Sequence, residues 1–232
     1  MPSCKVFSGE SRIHFTGRLI KLKRKSFYIG LGLLVLFVIW TVALRLVDVA
    51  EIGPRNSSVG FSTLNKVIHD SIGVHMLLYT ITDWLGIVPI CFIIGFGILG
   101  LCEWIKRKNL FKVDCNILVL GGFYIVVMAI YIFFEMFVVN YRPILINGYL
   151  EASYPSSTTM LAMCVMPTAI MQLNTRIKNC VLKKCANILI TAFIIFMVIG
   201  RLISGVHWFS DIIGGAVLSS GLVMIYDSIV NG

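Results

Sequence analysis

The chain has 232 residues, of which 58% are hydrophobic and only 13% are charged, and its formal net charge is +9 at pH 7. A soluble domain carries about 25% charged residues, so this apolar excess is too large for a water-soluble core and predicts a membrane protein. The basic residues stand in short segments between apolar runs, which is typical of membrane orientation signals and argues against a nucleic-acid partner.

The chain begins with a polar segment, 1–25, which ends in the basic stretch RLIKLKRK and is predicted to form a flexible cytoplasmic tail. The apolar run 26–46 follows and has the length of a first transmembrane helix. This run is too long for a secretory signal peptide, and no small-residue cleavage site follows it.

The segment after the first span contains Pro, Gly, Ser and mixed charge, and we expect it outside the membrane on the extracytoplasmic side. Its later part, about 61–84, has apolar residues at helical spacing, including Leu64, Val67 and Ile68. This spacing predicts an amphipathic helix that lies in the plane of the membrane interface.

Five further apolar runs predict the remaining transmembrane helices. They lie at 85–104, 116–139, 156–173, 186–203 and 210–230. The basic segments IKRKN and NTRIKNCVLKKC mark every second loop as cytoplasmic, because Lys and Arg collect on that side. The sequence therefore predicts an all-α membrane domain over 26–232, with six transmembrane helices, both termini in the cytoplasm and no second domain.

Charged and polar groups gather at the extracytoplasmic ends of these helices, and such groups near a membrane core are usually functional. They are Glu135, Arg142, Ser156, Ser157, Thr158, Arg201, His207 and Asp211. The topology rests on basic residues and apolar lengths alone, yet it places this whole set on one face of the membrane. We therefore expect a shared site.

The residue types of this set favour phosphate chemistry. Two arginines offer forked donors that match phosphate oxygens, and YPSSTT opens a helix with hydroxyls and free N–H groups, an arrangement that suits an anion. His207 and Asp211 are four residues apart, and a carboxylate beside an imidazole fixes its tautomer and makes the far nitrogen a better nucleophile. Taken singly, each residue could instead be a membrane anchor, a helix cap or part of an aromatic belt.

These stretches resemble the three motifs of the type 2 phosphatidic acid phosphatase (PAP2) superfamily of six-helix membrane phosphatases: Lys-x6-Arg-Pro, Pro-Ser-Gly-His and Ser-Arg-x5-His-x3-Asp. EMFVVNYRP matches the first motif from Arg142 onward, and PSST matches the second motif in part from Pro155. GRLISGVHWFSD matches the full spacing of the third motif. The resemblance covers the chain from about residue 61 to the C-terminus.

The resemblance implies that His207 attacks phosphorus and forms a phosphohistidine, while Asp211 orients the imidazole and stabilises its charge. It also implies a set of residues that hold the phosphoryl oxygens. This set is Arg142, Ser156, Ser157 and Arg201. No metal or other cofactor is implied, and the expected partners are a lipid phosphate or pyrophosphate substrate and the membrane itself.

Three positions depart from the family motifs: Glu135 replaces the motif-one lysine, Thr158 the motif-two histidine and Gly200 the motif-three serine. The family's histidine at position 158 protonates the leaving group, and a threonine hydroxyl does not replace it at neutral pH. General acid help is typically worth about 10²–10⁴ in rate, and a phosphate leaving group needs it least. We therefore expect a preference for pyrophosphates. Glu135, if buried, could act as a substitute acid, or it could neutralise an arginine.

The sequence thus predicts a membrane lipid phosphatase or pyrophosphatase acting on an isoprenyl pyrophosphate or a phosphatidate-like lipid. The alternatives are a phosphotransferase with the same phosphohistidine and a non-catalytic lipid-phosphate binding protein. A transporter is disfavoured, because the charges lie at one face and no inverted repeat is visible. Short loops and the lack of a retention signal favour the plasma membrane of a bacterium.

Overall fold

The computed structural model describes residues 11–109 and 113–231, with side chains from residue 24 onward. In these ranges the chain forms eight α-helices and one short 3-10 helix, Pro54–Asn56, with isolated bridges in place of a β-sheet. The helices are α1 (Ser11–Leu46), α2 (Ser62–Ile72), α3 (Met76–Leu85), α4 (Ile87–Arg107), α5 (Cys115–Met136), α6 (Ser157–Arg176), α7 (Cys180–Ile203) and α8 (Phe209–Val230). The predicted all-α class is confirmed.

Five stretches of the described residues are long and apolar enough to cross a membrane. They are Arg24–Leu46, Met76–Arg107, Cys115–Met136, Cys180–Ile203 and Phe209–Val230. The chain is therefore a multi-pass membrane protein. The predicted span 156–173 corresponds to α6, which is not apolar enough to count with these five. Six spans and cytoplasmic termini stay predictions.

The polarity of α6 follows from its position inside the bundle. Ala162, Cys164 and Val165 on this helix have no exposed surface, and α6 packs against both α7 and α8. A helix enclosed by other helices needs no apolar surface toward lipid, so its sequence accommodates more polar residues than the outer spans do.

Helix α8 is the second central element, with 56% of its apolar window buried against 11–22% in the other four candidate spans. Helix α1 packs along it, and Gly30 faces Gly221 across this contact. A Cβ atom added to Gly30 would lie 2.9 Å from Gly221 O, so only glycine permits this approach. Together α6 and α8 form the core around which the outer helices are placed.

Two parts of the described chain differ from the prediction. Helix α1 begins at Ser11, so residues 11–25 are helical where a flexible tail was expected, and residues 1–10 lie outside the described residues.

The predicted helix over 61–84 is two helices, α2 and α3. Gly73, whose φ of 74° suits a residue without a side chain, follows the last residue of α2 and ends that helix. Since only Gly86 separates α3 from α4, α3 belongs to the apolar stretch Met76–Arg107.

Asp48 anchors the start of α2 from outside the helix. Its carboxylate accepts hydrogen bonds from the Thr63 N–H at 2.7 Å and from the Ser62 hydroxyl at 2.9 Å. These bonds, the backbone bond of Thr63 foremost, lower the pKa of Asp48 below its usual value. The ionised carboxylate therefore satisfies N-terminal donors of α2, the helix that carries Asn65 to the centre of the protein.

Replacing Asp48 with Ala should fray the first turn of α2, because its donors lose their acceptor. Amide hydrogen exchange over 62–66 should be faster in Asp48→Ala than in wild type, with Asp48→Asn intermediate because an amide keeps one acceptor oxygen. Since the pKa is lowered in the folded state, wild-type protection should hold at neutral pH and fall as the pH drops through that lowered pKa. Equal exchange in Asp48→Ala and wild type would contradict this role.

Candidate phosphate site at one end of the bundle

The ends of α5 and α7 and the beginnings of α6 and α8 lie at the same end of the bundle, joined by the loops 137–156 and 204–208. This arrangement brings together most of the side chains that the sequence singled out. They are Arg142, Ser156, Thr158, Arg201, His207 and Asp211, with Ser157 and Glu135 at the edge of the site.

His207 is the centre of the site and is 3% exposed. Its Nε2 lies 3.2 Å from Arg142 Nη1, and its Nδ1 lies 3.0 Å from Ser153 Oγ and 3.1 Å from Ser153 O. A guanidinium can only donate, so Nε2 must accept and carry the lone pair. The ring hydrogen is therefore on Nδ1, where Ser153 accepts it.

Ser153 also separates His207 from Asp211. Its hydroxyl donates to Asp211 Oδ2 at 2.5 Å, so the single hydroxyl hydrogen is used there and the oxygen remains an acceptor for His207. The predicted direct contact between His207 and Asp211 is thus replaced by a bridge through Ser153. The reason is local: α8 begins at Phe209, so His207 precedes the helix and the four-residue spacing does not place it on the face of Asp211.

Asp211 has no exposed surface and is satisfied by further donors. Asn140 Nδ2 donates to Oδ1 at 3.1 Å, and the Trp208 N–H donates to Oδ2 at 3.1 Å. Asn65 extends this network, because its Nδ2 donates to Ser210 Oγ at 2.9 Å. Sequence reasoning missed Ser153, Asn140 and Asn65, since none of them stands out by charge or periodicity.

Arg201 is 1% exposed and is held mainly by α3. Its Nη2 donates to Asp83 Oδ1 at 2.8 Å and to Thr158 Oγ1 at 2.6 Å. Its Nη1 makes longer contacts, 3.4 Å to Thr82 Oγ1 and 3.5 Å to Tyr79 O, and the guanidinium lies 4.9 Å from the centroid of the Tyr79 ring. Only the Nε–H of this guanidinium remains without a partner. No pattern in the sequence indicated that α3 contributes to the site.

The carboxylate beside Arg142 is Glu151, whose Oε2 lies 3.0 Å from Arg142 Nε. Glu135 is exposed, and within the part of the chain that the structure describes it is in no ion pair with an arginine. It lines a cleft together with Ser153 and Ser157. Two roles were considered for Glu135, a buried acid and the partner of an arginine. Among the described residues it has neither role.

Several buried donors at this end of the bundle have no hydrogen-bond partner. They are Arg201 Nε, Ser156 Oγ and Thr159 Oγ1, and Arg142 Nε has only the ion-pair contact with Glu151. Folded proteins leave few buried polar atoms unsatisfied. Ser156 is also the residue before α6, whose first N–H groups have no partner inside the helix. This arrangement suits a ligand that is rich in acceptor oxygens, such as a phosphate.

The electrostatic environment keeps His207 neutral. Burial is the main cause that lowers its pKa well below the usual value, and the positive charges of Arg142 and Arg201 lower it further. The neutral imidazole keeps a lone pair on Nε2, which is the form that a nucleophile requires.

Replacing Arg142 with Gln should raise the pKa of His207, because one of the two nearby positive charges is removed. NMR titration of the His207 ring should show protonation at higher pH in Arg142→Gln than in wild type. Arg45→Gln, a substitution at an exposed arginine that donates to Val138 O, serves as the control and should leave the titration unchanged. An unchanged or lower pKa in Arg142→Gln would contradict the proposed electrostatic coupling.

Comparison with known proteins relates part of this chain to one superfamily and its fold to one solved structure. Residues 136–231 match the model of the PAP2 superfamily, and they include every residue of the site except those on α2 and α3 and Glu135. The fold is similar to that of a transmembrane PAP2 type phosphatidylglycerolphosphate phosphatase from Bacillus subtilis, with a TM-score of 0.57 and 19% sequence identity over 87% of this chain and 94% of that chain. None of the curated proteins matches the sequence significantly. The resemblance predicted from the motifs is thus confirmed for residues 136–231, which carry a PAP2 superfamily sequence.

Proposed function

We propose that this protein is a membrane phosphatase that acts on a lipid phosphate or pyrophosphate, with His207 as the nucleophile. The match to the PAP2 superfamily and the fold shared with a membrane phosphatase support the general activity. The proposal places the site on the extracytoplasmic side of a bacterial plasma membrane, in accord with the topology predicted from the basic loops.

One observation carries the proposal: the Nε2 of His207 accepts a hydrogen bond from Arg142, and further buried donors at this end of the bundle lack acceptors. Arg142 Nη1 is 3.2 Å from Nε2, and Arg201 Nε and Ser156 Oγ have no partner. A phosphoryl group bound at this point would supply the missing acceptor oxygens and would place its phosphorus next to the nucleophile.

The first chemical step forms a bond between His207 Nε2 and phosphorus. The bond from phosphorus to the leaving oxygen breaks, and its electron pair departs with that oxygen. Arg142 Nη1 transfers its hydrogen bond from Nε2 to a phosphoryl oxygen. The Nδ1–H stays bonded to Ser153, whose hydroxyl is bonded to the Asp211 carboxylate, so the positive charge on the ring is stabilised through this bridge.

The second step returns the enzyme to its starting state. Water attacks the phosphohistidine, the phosphorus–nitrogen bond breaks, and its electron pair returns to Nε2. The released phosphate keeps the oxygen of the water, and the surplus proton passes to solvent. An alcohol in place of water would make the same intermediate serve a phosphotransferase.

The side chain at position 158 favours a substrate with a good leaving group. Thr158 accepts a hydrogen bond from Arg201, and its hydroxyl is too weak an acid to protonate a leaving alkoxide at neutral pH. Because a departing phosphate is stable without protonation, we favour a pyrophosphate over a monoester.

The decisive experiment measures phosphate release by purified protein from a panel of lipid monophosphates and pyrophosphates. We expect pyrophosphates to react about 10²–10⁴ times faster than the matched monophosphates. His207→Gln should reduce release to the level of the blank, while His75→Gln, at an exposed histidine, should behave like wild type. Binding of the lipid without release on any substrate would identify a non-catalytic lipid-phosphate binding protein instead.

Replacing Ser153 with Ala should slow formation of the phosphohistidine, because the link between Asp211 and the charged ring is lost. A hydrogen bond to a charged group is worth about 1.5–3 kcal/mol, so we expect kcat to fall roughly 10–150-fold with little change in KM. Ser153→Thr, which keeps the hydroxyl, should retain more activity than Ser153→Ala. Single-turnover trapping of the phosphoenzyme measures this step directly, and equal rates in Ser153→Ala and wild type would exclude the role.

A further inference from the structure

Helix α3 packs against α7 and presents one face to Arg201. Tyr79, Thr82 and Asp83 stand at positions i, i+3 and i+4, which keeps them on the same side of the helix. All three contact the Arg201 guanidinium. Helix α3 lies outside residues 136–231, so its part in the site is a feature of this chain that the superfamily match does not cover.

The three contacts differ in how easily they are given up. The Asp83 side chain is 56% exposed, so its carboxylate can return to water when a phosphate takes its place on Arg201. Thr82 has no exposed surface, and its hydroxyl hydrogen is bonded within α3. Its oxygen therefore remains an acceptor for Arg201 Nη1 at 3.4 Å. Arg201 Cζ also lies over the Tyr79 ring, 4.9 Å from the ring centroid, which is the geometry of a cation–π contact.

Gly200 allows α3 to come this close to Arg201. A Cβ atom added to Gly200 would lie 2.8 Å from Thr82 Cγ2, well inside van der Waals contact. The Thr82 side chain cannot turn aside without breaking its hydrogen bonds to Leu78 O at 2.8 Å and Tyr79 O at 3.0 Å. A side chain at position 200 would therefore push α3 away from Arg201.

The start of α3 is tied to the same end of α7. The His75 N–H donates to Ser204 O at 3.0 Å, and the Ser204 hydroxyl donates to Arg201 O at 2.7 Å. Gly205 has a φ of 68°, and a Cβ atom added to it would collide with Gly73 O. Helix α3 is thus fixed near both of its ends to the residues around Arg201.

We propose that Tyr79 and Thr82 are positioning residues for Arg201. They keep the guanidinium directed at the phosphoryl group after a substrate has displaced Asp83, and Gly200 leaves the space that this contact requires. This inference rests on the proposed function, in which Arg201 binds the phosphoryl oxygens. The unpaired Arg201 Nε–H is then available to the phosphate, and the guanidinium does not follow Asp83 toward solvent. A donor that is preorganised in this way needs no rearrangement when the substrate reacts.

The first test adds one carbon at Gly200 and then removes the carbon that it meets. Gly200→Ala should displace α3, whereas Gly200→Ala/Thr82→Ser lacks the Thr82 methyl group and should keep the helix in place. Gly95→Ala on α4 is the matched control, because a Cβ atom there meets no atom within 4 Å. Alanine favours a helix more than glycine does, so a loss in Gly200→Ala cannot come from helix propensity.

The readout is the NMR signal of the His207 ring, which does not depend on turnover. Besides burial and Arg142, the charge of Arg201 lowers the pKa of His207, so a displaced Arg201 should let that pKa rise. We expect Gly200→Ala to raise the pKa and to weaken binding of inorganic phosphate by about tenfold. The double variant and Gly95→Ala should bind phosphate within about twofold of wild type. Wild-type behaviour of Gly200→Ala, or a double variant no better than the single one, would overturn the proposal.

The second test keeps Gly200 and changes the ring. Tyr79→Leu removes the ring over which the guanidinium lies, and Tyr79→Phe retains it. Trp84→Leu removes an exposed ring from the same helix and is the control. With farnesyl diphosphate as the substrate, we expect Tyr79→Leu to raise KM about tenfold with a smaller change in kcat, because Arg201 binds the phosphoryl group before and during the reaction. Tyr79→Phe and Trp84→Leu should behave like wild type.

Thermal unfolding separates positioning from stability. A lower unfolding temperature of Tyr79→Leu with unchanged KM would show that the ring only stabilises the fold, and it would overturn the proposal. If no substrate releases phosphate, the NMR titrations of the same variants still decide the role of α3. That failure would count against the proposed function alone.

Discussion

The burial of one carboxylate, Asp211, organises this end of the bundle. A charge without exposed surface is tolerated only when donors surround it, and here they come from two separate parts of the chain. Asn140 and Ser153 belong to the loop that precedes α6, and the Trp208 N–H belongs to the start of α8. Because the buried Asp211 carboxylate needs these donors, the loop that carries Arg142 is held against the loop that carries His207. The geometry of the candidate nucleophile follows from this requirement.

The two arginines of the site are compensated by carboxylates of the protein itself. Glu151 pairs with Arg142, and Asp83 pairs with Arg201. Such pairing lowers the cost of keeping guanidinium groups in a poorly hydrated place. It also means that an incoming phosphate exchanges partners with resident carboxylates, because Arg142 Nε and Arg201 Nη2 already contact Glu151 and Asp83. Affinity at this site is then a difference between two sets of charged hydrogen bonds and depends on how readily Glu151 and Asp83, both partly exposed, return to solvent.

The sequence predicted the helical membrane class and the residues with a strong motif, Arg201, His207 and Asp211, because charges at fixed spacing are conspicuous in an apolar chain. It missed residues whose role depends on contacts between distant segments: Asp83 is 118 positions from Arg201, and Ser153 is 58 positions from Asp211. The hydropathy of α6 is also lower than that of the other long helices, since burial among helices removes the need for an apolar surface. The helix predicted over 61–84 was divided by Gly73, whose backbone angle is not visible in an apolar periodicity.

The stretch Met76–Arg107 has a further consequence. Its 32 residues would extend about 48 Å as a helix, well beyond the roughly 30 Å of a hydrocarbon core. It must therefore tilt, bend at Gly86 or protrude, and its outer part, α3, holds Arg201 through Asp83. Hydrophobic mismatch between this stretch and the surrounding lipid therefore affects the position of Asp83, which binds Arg201. The thickness of the host bilayer becomes a physical variable of the candidate site, in addition to its chemistry.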